Sequence, residues 1–249
     1  MYENNPDSWT SALVAVSGSV AAVKAPEIVA RLLNAGVSVD LVLTESAYKL
    51  MQATYNNEKP WERLKALQVD RCVTPTMKPT LRIYRDANEW SAYNTVGEDP
   101  VLHIELAKRN KLLLIAPLCA NTLAHAALGL CGNLVGSVLR AWYYDLEEAF
   151  AGPMAERYGQ HALNRPVLVA PAMNTFMWHQ NITKQHMATL ESRGVHVAPP
   201  IRKKLACGDT GVGAMAEVAD IHEQALGLLR AHAAAEAEAA KAGKPAFVP

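Results

Sequence analysis

Residues 12–36 read ALVAVSGSVAAVKAPEIVARLLNAG, and the order of residue types in that stretch decides the fold. Ala12 to Val16 is an unbroken run of small and branched apolar side chains, the pattern of a strand buried on both faces of a parallel sheet. Ser17, Gly18 and Ser19 interrupt the run. Ala21 to Ala35 then carries helical spacing and stops at Gly36, where a left-handed residue commonly ends a helix. Val37 to Leu43 opens the next apolar run at once. A strand, a turn of small residues, a helix and a second strand in close succession make the repeating unit of an α/β fold.

The alternation continues outward from this unit. Lys111 to Ala116 and Pro166 to Ala170 read as further buried strands, and Val195 to Ala198 as a shorter one. Ala120 to Trp142, with Gly129, Gly132 and Gly136 inside it, reads as two helices or one kinked helix, and Phe176 to Arg193 as a helix stopped by Gly194. Right-handed crossovers between such strands predict a doubly wound parallel sheet in a three-layer α/β/α sandwich, Rossmann-like or flavodoxin-like. Residues 1–249 form one domain on this reading, with the core over about residues 11–230. Two stretches leave the alternation. Asn56 to Asp99, with its prolines, Trp61 and Trp90, reads as irregular structure or short strands around a partner or substrate. Tyr143 to Asn164 reads as a polar insertion with a helix of its own. The Ala, Glu and Lys mixture after Arg230 predicts an extended last helix that frays at Gly243 and Pro245.

Composition narrows the function classes. Lys and Arg number 24 and so do Asp and Glu, which removes the basic excess expected of a nucleic-acid binder. No apolar run approaches the ~20 residues that span a bilayer, and the polar start MYENNPDSWT lacks the pattern of a secretory signal. Cys72, Cys119, Cys131 and Cys207 are scattered, with no metal-ligand spacing, and fit reduced thiols in a cytoplasmic protein.

In doubly wound sheets ligands bind beyond the carboxyl ends of the strands. After the first strand, Ser17-Gly18-Ser19-Val20 runs into a helix start, where exposed N–H groups and the helix dipole favour a single phosphate group; there is no GxGxxG. After the second, Thr44-Glu45-Ser46 reads first as a helix cap. After the next two come Pro117-Leu118-Cys119-Ala120-Asn121-Thr122 and Pro171-Ala172-Met173-Asn174, each a proline break with an Asn just beyond. Paired amides there can donate to and accept from a ring or a carboxylate. His103 opens a helical segment before the central strand, where a structural role is the commoner fate of a single histidine. Lys203 to Met215 reads as a glycine-rich mobile loop headed by Cys207, the one cysteine read as reactive.

Taken in order, SGSVAAVKAPEIV, VLTESA, ANEW at 87–90, VLHIELAKR, LLLIAPLCANTLA, GLCGNL, VLRAW, VLVAPAMNTFMW and LACGDTGVGAMAE resemble the homo-oligomeric flavin-containing cysteine decarboxylases. The similarity is greatest to the branch acting on 4'-phosphopantothenoylcysteine in coenzyme A synthesis. The resemblance implies that Gly18, Ser19, Val20, Thr44, Ser46, Cys119, Ala120, Asn121, Thr122 and Ala172 hold FMN. It implies that Asn174 meets the substrate carboxylate, with Met177 and Ala206 close by. It also makes His103 the base beside the flavin, and Cys207, on a closing flap, the acid that reprotonates the decarboxylated intermediate. The family is trimeric, which implies that His103 acts across a subunit boundary from Asn174 and Cys207. Relatives in the same family inhibit a Ser/Thr protein phosphatase, and others decarboxylate peptidyl cysteines. The chain departs from the family at Gly132, where an acidic residue is usual, and at Ala107 and Lys108, where two arginines are usual.

Overall fold

A computed structural model describes residues 9–72, 79–146, 148–204 and 210–245. Its centre is a six-stranded parallel sheet in the order β3-β2-β1-β4-β5-β6, the doubly wound Rossmann order. The strands are β1 (Thr10–Val16), β2 (Val37–Leu43), β3 (Leu81–Arg85), β4 (Leu112–Leu118), β5 (Val167–Pro171) and β6 (His196–Val197). Alternation along each strand builds two cores. Ala12, Val14 and Val16 of β1 and Leu112, Leu114 and Ala116 of β4 face one side. Leu13, Ala15, Leu113 and Ile115 face the other.

The first side is covered by α1 (Ala25–Asn34), α2 (Glu45–Met51), α3 (Pro60–Cys72) and α11 (Val218–Lys241), which contribute Ile28, Met51, Leu64 and Leu229 to its core. The second is covered by α4 (Leu102–Arg109), α5 (Ala120–Leu128), α6 (Leu134–Ala141) and α10 (Asn181–Ser192), which contribute Leu106, Leu123, Val138 and Leu190. The strands at 12–16, 37–43, 111–116, 166–170 and 195–198 are therefore borne out within a residue or two.

Several expectations are corrected. The stretch 56–99 does contain a short strand, the sheet's edge strand β3 paired in parallel with β2, but it also contains a helix, α3, that its reading did not include. The helix expected from Ala21 starts as a 3₁₀ turn, Val20–Lys24, before α1 begins at Ala25, because Pro26 has no N–H to donate back along an α-helix. For the segment 120–142 the two-helix reading holds: α5 and α6 are parted at Gly129, which adopts φ +70° and ends α5. The helix expected over 176–193 is also two, α9 (Thr175–His179) and α10. Gln180 between them is extended, and Thr183 Oγ1 donates to the Met177 carbonyl at 2.6 Å. The insertion at 143–164 does carry helices, α7 (Glu148–Tyr158) and α8 (Gln160–Leu163). The tail does not fray at Gly243. It closes in a hydrogen-bonded turn, Gly243 N–H to Ala240 and Lys244 N–H to Ala239, and Lys244 Nζ donates to the Ala155 carbonyl of α7. The stretch 203–215 read as a mobile glycine-rich loop is instead, over most of its described residues, part of an antiparallel hairpin, β7 (Ile201–Lys204) with β8 (Thr210–Ala214), and Gly211 and Gly213 lie in β8. No helix among the described residues is long and apolar enough to cross a membrane.

Candidate functional site

The carboxyl ends of the strands are knitted side to side by hydrogen bonds, so the loops after them form one continuous edge. Thr44 N–H donates to Val16 O at the β2 and β1 tips. Ser17, fully buried, donates through Oγ to Pro117 O at 2.7 Å and accepts from Cys119 N–H at 2.8 Å, joining β1 to β4. Ala172 N–H donates to Leu118 O, joining β5 to β4, and Met173 N–H donates to Gly213 O of β8. Gly18, Ser19, Val20, Thr44, Ser46, Cys119, Ala120, Asn121, Thr122, Ala172 and Asn174 thus lie along the same edge, and Met177 follows on α9.

Within that edge the local roles are physical ones. Ser19 caps the 3₁₀ turn by accepting from Ala21 N–H at 3.4 Å. Gly18 and Val20 N–H have no acceptor among the described residues, which leaves them available to an anion at a helix start. A Cβ on Gly18 would stand 2.6 Å from Ser46 Cβ. Only glycine therefore lets the first turn pack this closely against the first turn of α2. Thr44 caps α2 through Ala47 N–H, the capping role read from sequence. Cys119 caps α5, its sulfur accepting from Thr122 N–H at 3.5 Å. Burial pushes the Cys119 thiol up, but hydrogen bonds from Ser17 and Thr122 and from the backbone at Thr122 and Asn121 outweigh it and hold it below the ordinary cysteine value.

Asn174 caps α9, its Oδ1 accepting from Phe176 N–H at 2.8 Å, which fixes the orientation of the amide. The β7–β8 hairpin packs against this loop so closely that a Cβ on Gly211 would collide with Thr175 and one on Gly213 with the Met173 carbonyl. Lys204 pairs with Thr210 across the hairpin. Ala206 and Cys207 lie outside the described residues.

His103 sits in the first turn of α4. Because α4 leads through Asn110 into the amino end of β4, its N-terminus is directed toward the carboxyl edge of the sheet. Among the described residues its side-chain partner is Glu89, whose Oε1 lies 2.5 Å from Nδ1. The bond to Glu89 turns the ring's Nδ1 toward the segment after β3. Glu89 is the residue sequence reading passed over, and Ser17, read as part of the phosphate turn, uses its buried hydroxyl to join β1 to β4; nothing local reveals a contact across 14 or 100 positions. Of the family departures, Ala107 is buried in the second core and Lys108 pairs with Glu105 at 3.3 Å. Gly132 lies beside the His125 ring. No group of three or more His, Cys, Asp or Glu suited to a metal occurs among the described residues.

A family model described as Flavoprotein matches residues 2–230. The chain is 38% identical over 221 residues to the phosphopantothenoylcysteine decarboxylase of Mus musculus, covering 88% of this chain and 87% of that protein. It is 39% identical over 205 residues to the enzyme of the same name from Oryza sativa subsp. japonica, covering 82% and 74%. A solved PPC decarboxylase variant complexed with pantothenoylaminoethenethiol matches with TM-score 0.66 at 35% identity, covering 89% of this chain and 98% of that one. The FMN binding protein AtHal3 matches with TM-score 0.65, also at 35% identity, covering 89% and 97%.

Proposed function

For a chain that belongs to the Flavoprotein family, and that has phosphopantothenoylcysteine decarboxylases among its relatives, we propose FMN-dependent decarboxylation of 4'-phosphopantothenoylcysteine to 4'-phosphopantetheine, a step of coenzyme A synthesis. One observation carries the assignment to this site: the Gly18 turn packed against Ser46, with the Gly18 and Val20 N–H groups bonded to no acceptor among the described residues, which together would form a cradle. That arrangement suits one phosphate group, as FMN has, and the chain lacks the GxGxxG that a pyrophosphate would use.

The residues around the cradle have separable tasks. Gly18, Ser19 and Val20 would hold the phosphate, and Thr44, Ser46, Cys119, Ala120, Asn121, Thr122 and Ala172 would line the remainder of the cofactor. When bound, FMN supplies an acceptor for two electrons from the carbon bearing the thiol and later gives them back, which lends the carboxylate an electron sink that a cysteine amide lacks. Asn174, its amide fixed by the Phe176 N–H, orients the substrate carboxylate, with Met177 and Ala206 beside it. His103 accepts the substrate proton in the first step through its imidazole. Cys207 would return a proton after CO2 has left.

A homotrimer is part of the proposal. Ile104 beside His103, and Phe176 and Met177 beyond Asn174, are exposed apolar side chains near the carboxyl edge, where a second copy would cover them and bring its own histidine. The unpaired Cys119 and Cys131 suit the reducing cytoplasm. The test is direct. Protein reconstituted with FMN should show a flavin absorption band and release CO2 from 4'-phosphopantothenoylcysteine. A folded protein that takes up no FMN, or one that inhibits a Ser/Thr protein phosphatase and releases no CO2, would overturn the assignment.

A further inference from the structure

Glu89 is an unusual place to keep a carboxylate. Its side chain is 10% exposed, and Oε2 is buried with no hydrogen-bond partner among the described residues. An acceptor left bare in this way carries an uncompensated desolvation penalty, so the position calls for a reason. The other oxygen supplies it: Oε1 meets His103 Nδ1 at 2.5 Å.

The backbone beneath Glu89 is fastened at several points. It follows the 3₁₀ turn Asp86–Asn88, which ends β3. Asp86 Oδ1 accepts from Leu134 N–H at 2.9 Å, tying the turn to the start of α6. Asn88 Oδ1 accepts from Arg85 N–H at 2.8 Å, and Glu89 N–H donates to Asp86 O. On the other side His103 rides on α4, which packs Leu106 and Ala107 into the second core. Two rigid elements therefore face each other through one carboxylate and one imidazole.

We propose that Glu89 is a positioning residue for His103: its carboxylate accepts the Nδ1 proton and holds the ring in the tautomer that presents an unprotonated Nε2. This rests on the reading of His103 as the base of the first step. A neutral imidazole is a donor at one nitrogen and an acceptor at the other, and the tautomer follows the bond that one nitrogen makes. With Nδ1–H committed to Glu89, the lone pair is at Nε2. When Nε2 takes a proton from substrate, the imidazolium forms beside an anion, and Glu89 remains a carboxylate throughout. This is the orienting third group that a nucleophile or base commonly requires. Glu89 acts on the reaction through the histidine.

The test joins a spectrum to a rate. Long-range 1H–15N correlation on the FMN-loaded full chain reports the tautomer of each histidine, with His103→Asn identifying the relevant signals. The wild-type His103 should show Nδ1–H, and Glu89→Ala should lose that preference. Stopped-flow reduction of the flavin by substrate should slow by about 10²-fold in Glu89→Ala with substrate affinity little changed, an effect within the usual range for a mis-set base. Glu89→Gln keeps an acceptor oxygen, and should retain the tautomer and recover part of the rate. A wild-type His103 in the Nε2–H form overturns the proposal even if no Glu89 variant folds. So does a Glu89→Ala protein whose tautomer and reduction rate match wild type. If His103→Asn reduces its flavin at the normal rate, His103 is not the base. The wild-type spectrum then still decides whether Glu89 sets its tautomer.

Discussion

Gly18 and Asn174 are residues whose roles can be tested one atom at a time. Gly18→Ala places a methyl group 2.6 Å from Ser46 Cβ, and one of the two loops must move. Overpacking of this kind costs roughly 1–3 kcal/mol. The FMN dissociation constant should therefore rise about 10–100-fold, as read by quenching of flavin fluorescence on titration with protein. An unchanged constant would mean that the first turn does not hold the phosphate. Asn174→Asp keeps the shape of the cap and its acceptor for the Phe176 N–H, but sets a negative charge against the substrate carboxylate. CO2 release should fall at least about 10²-fold with FMN still bound, since like charges in one site strongly disfavour each other. Much of this edge was legible in the sequence, because small and polar residues directly after apolar runs mark strand tips, although Pro117 and Pro171 lie within β4 and β5 rather than breaking them. The partnership of His103 with Glu89 was not. It is a side-chain contact between a short turn and a helix, and no periodicity encodes it.

At the scale of elements, the strands that sequence revealed are those buried on both faces, such as β1 and β4, whose residues divide between the two cores. Edge strand β3 (LRIYR) was legible only as an unplaced short strand, because its arginines serve the rim. Arg82 approaches Asp40 at 3.6 Å and Arg85 pairs with Glu45 at 3.0 Å. Helix α3 escaped because only Leu64 among its described apolar side chains reaches full burial in the core, with Trp61 and Leu67 packed partly against it. Helix α4 is held at its far end by Arg165. This buried guanidinium donates through one nitrogen to the carbonyls of Ala107, Lys108 and Asn110 at 2.8, 2.7 and 2.9 Å. Carbonyls at a helix C-terminus lack intrahelical donors, and a cation there also meets the negative end of the dipole. Arg165→Leu should cost about 3 kcal/mol in urea unfolding, because it strands these acceptors inside the protein. A loss below about 0.5 kcal/mol, the range of ordinary surface changes, would show that the α4 end is satisfied in another way.

Across the whole molecule, the sheet and the last helix meet near the amino edge, where Lys111 Nζ, just before β4, contacts Glu236 Oε1 on α11 at 2.5 Å. Glu236 is held down at about 2, from an ordinary 4.5, by His232 first and by Lys111, against an opposing effect of burial. The His232 Nε2 distance of 3.6 Å is too long for a hydrogen bond, so Lys111 is the firmer geometric contact. The folded state binds this proton less readily than the unfolded chain. The stabilisation is therefore complete above the ordinary carboxylate range and is lost as pH falls toward about 2. With 38% of the side chain exposed, solvent limits it to roughly 1 kcal/mol or less. Glu236→Gln should lower the urea midpoint slightly at neutral pH, and the difference from wild type should close as pH falls through that window. A gap that persisted in acid would place the effect in packing.

What the carboxyl edge does to a substrate can be weighed directly. Full-length protein loaded with FMN and incubated with 4'-phosphopantothenoylcysteine can be followed by mass spectrometry of the small molecule. The expected product is lighter by one CO2, with no net oxidation. A substrate recovered at its starting mass, from protein that carries its flavin, would contradict the assignment.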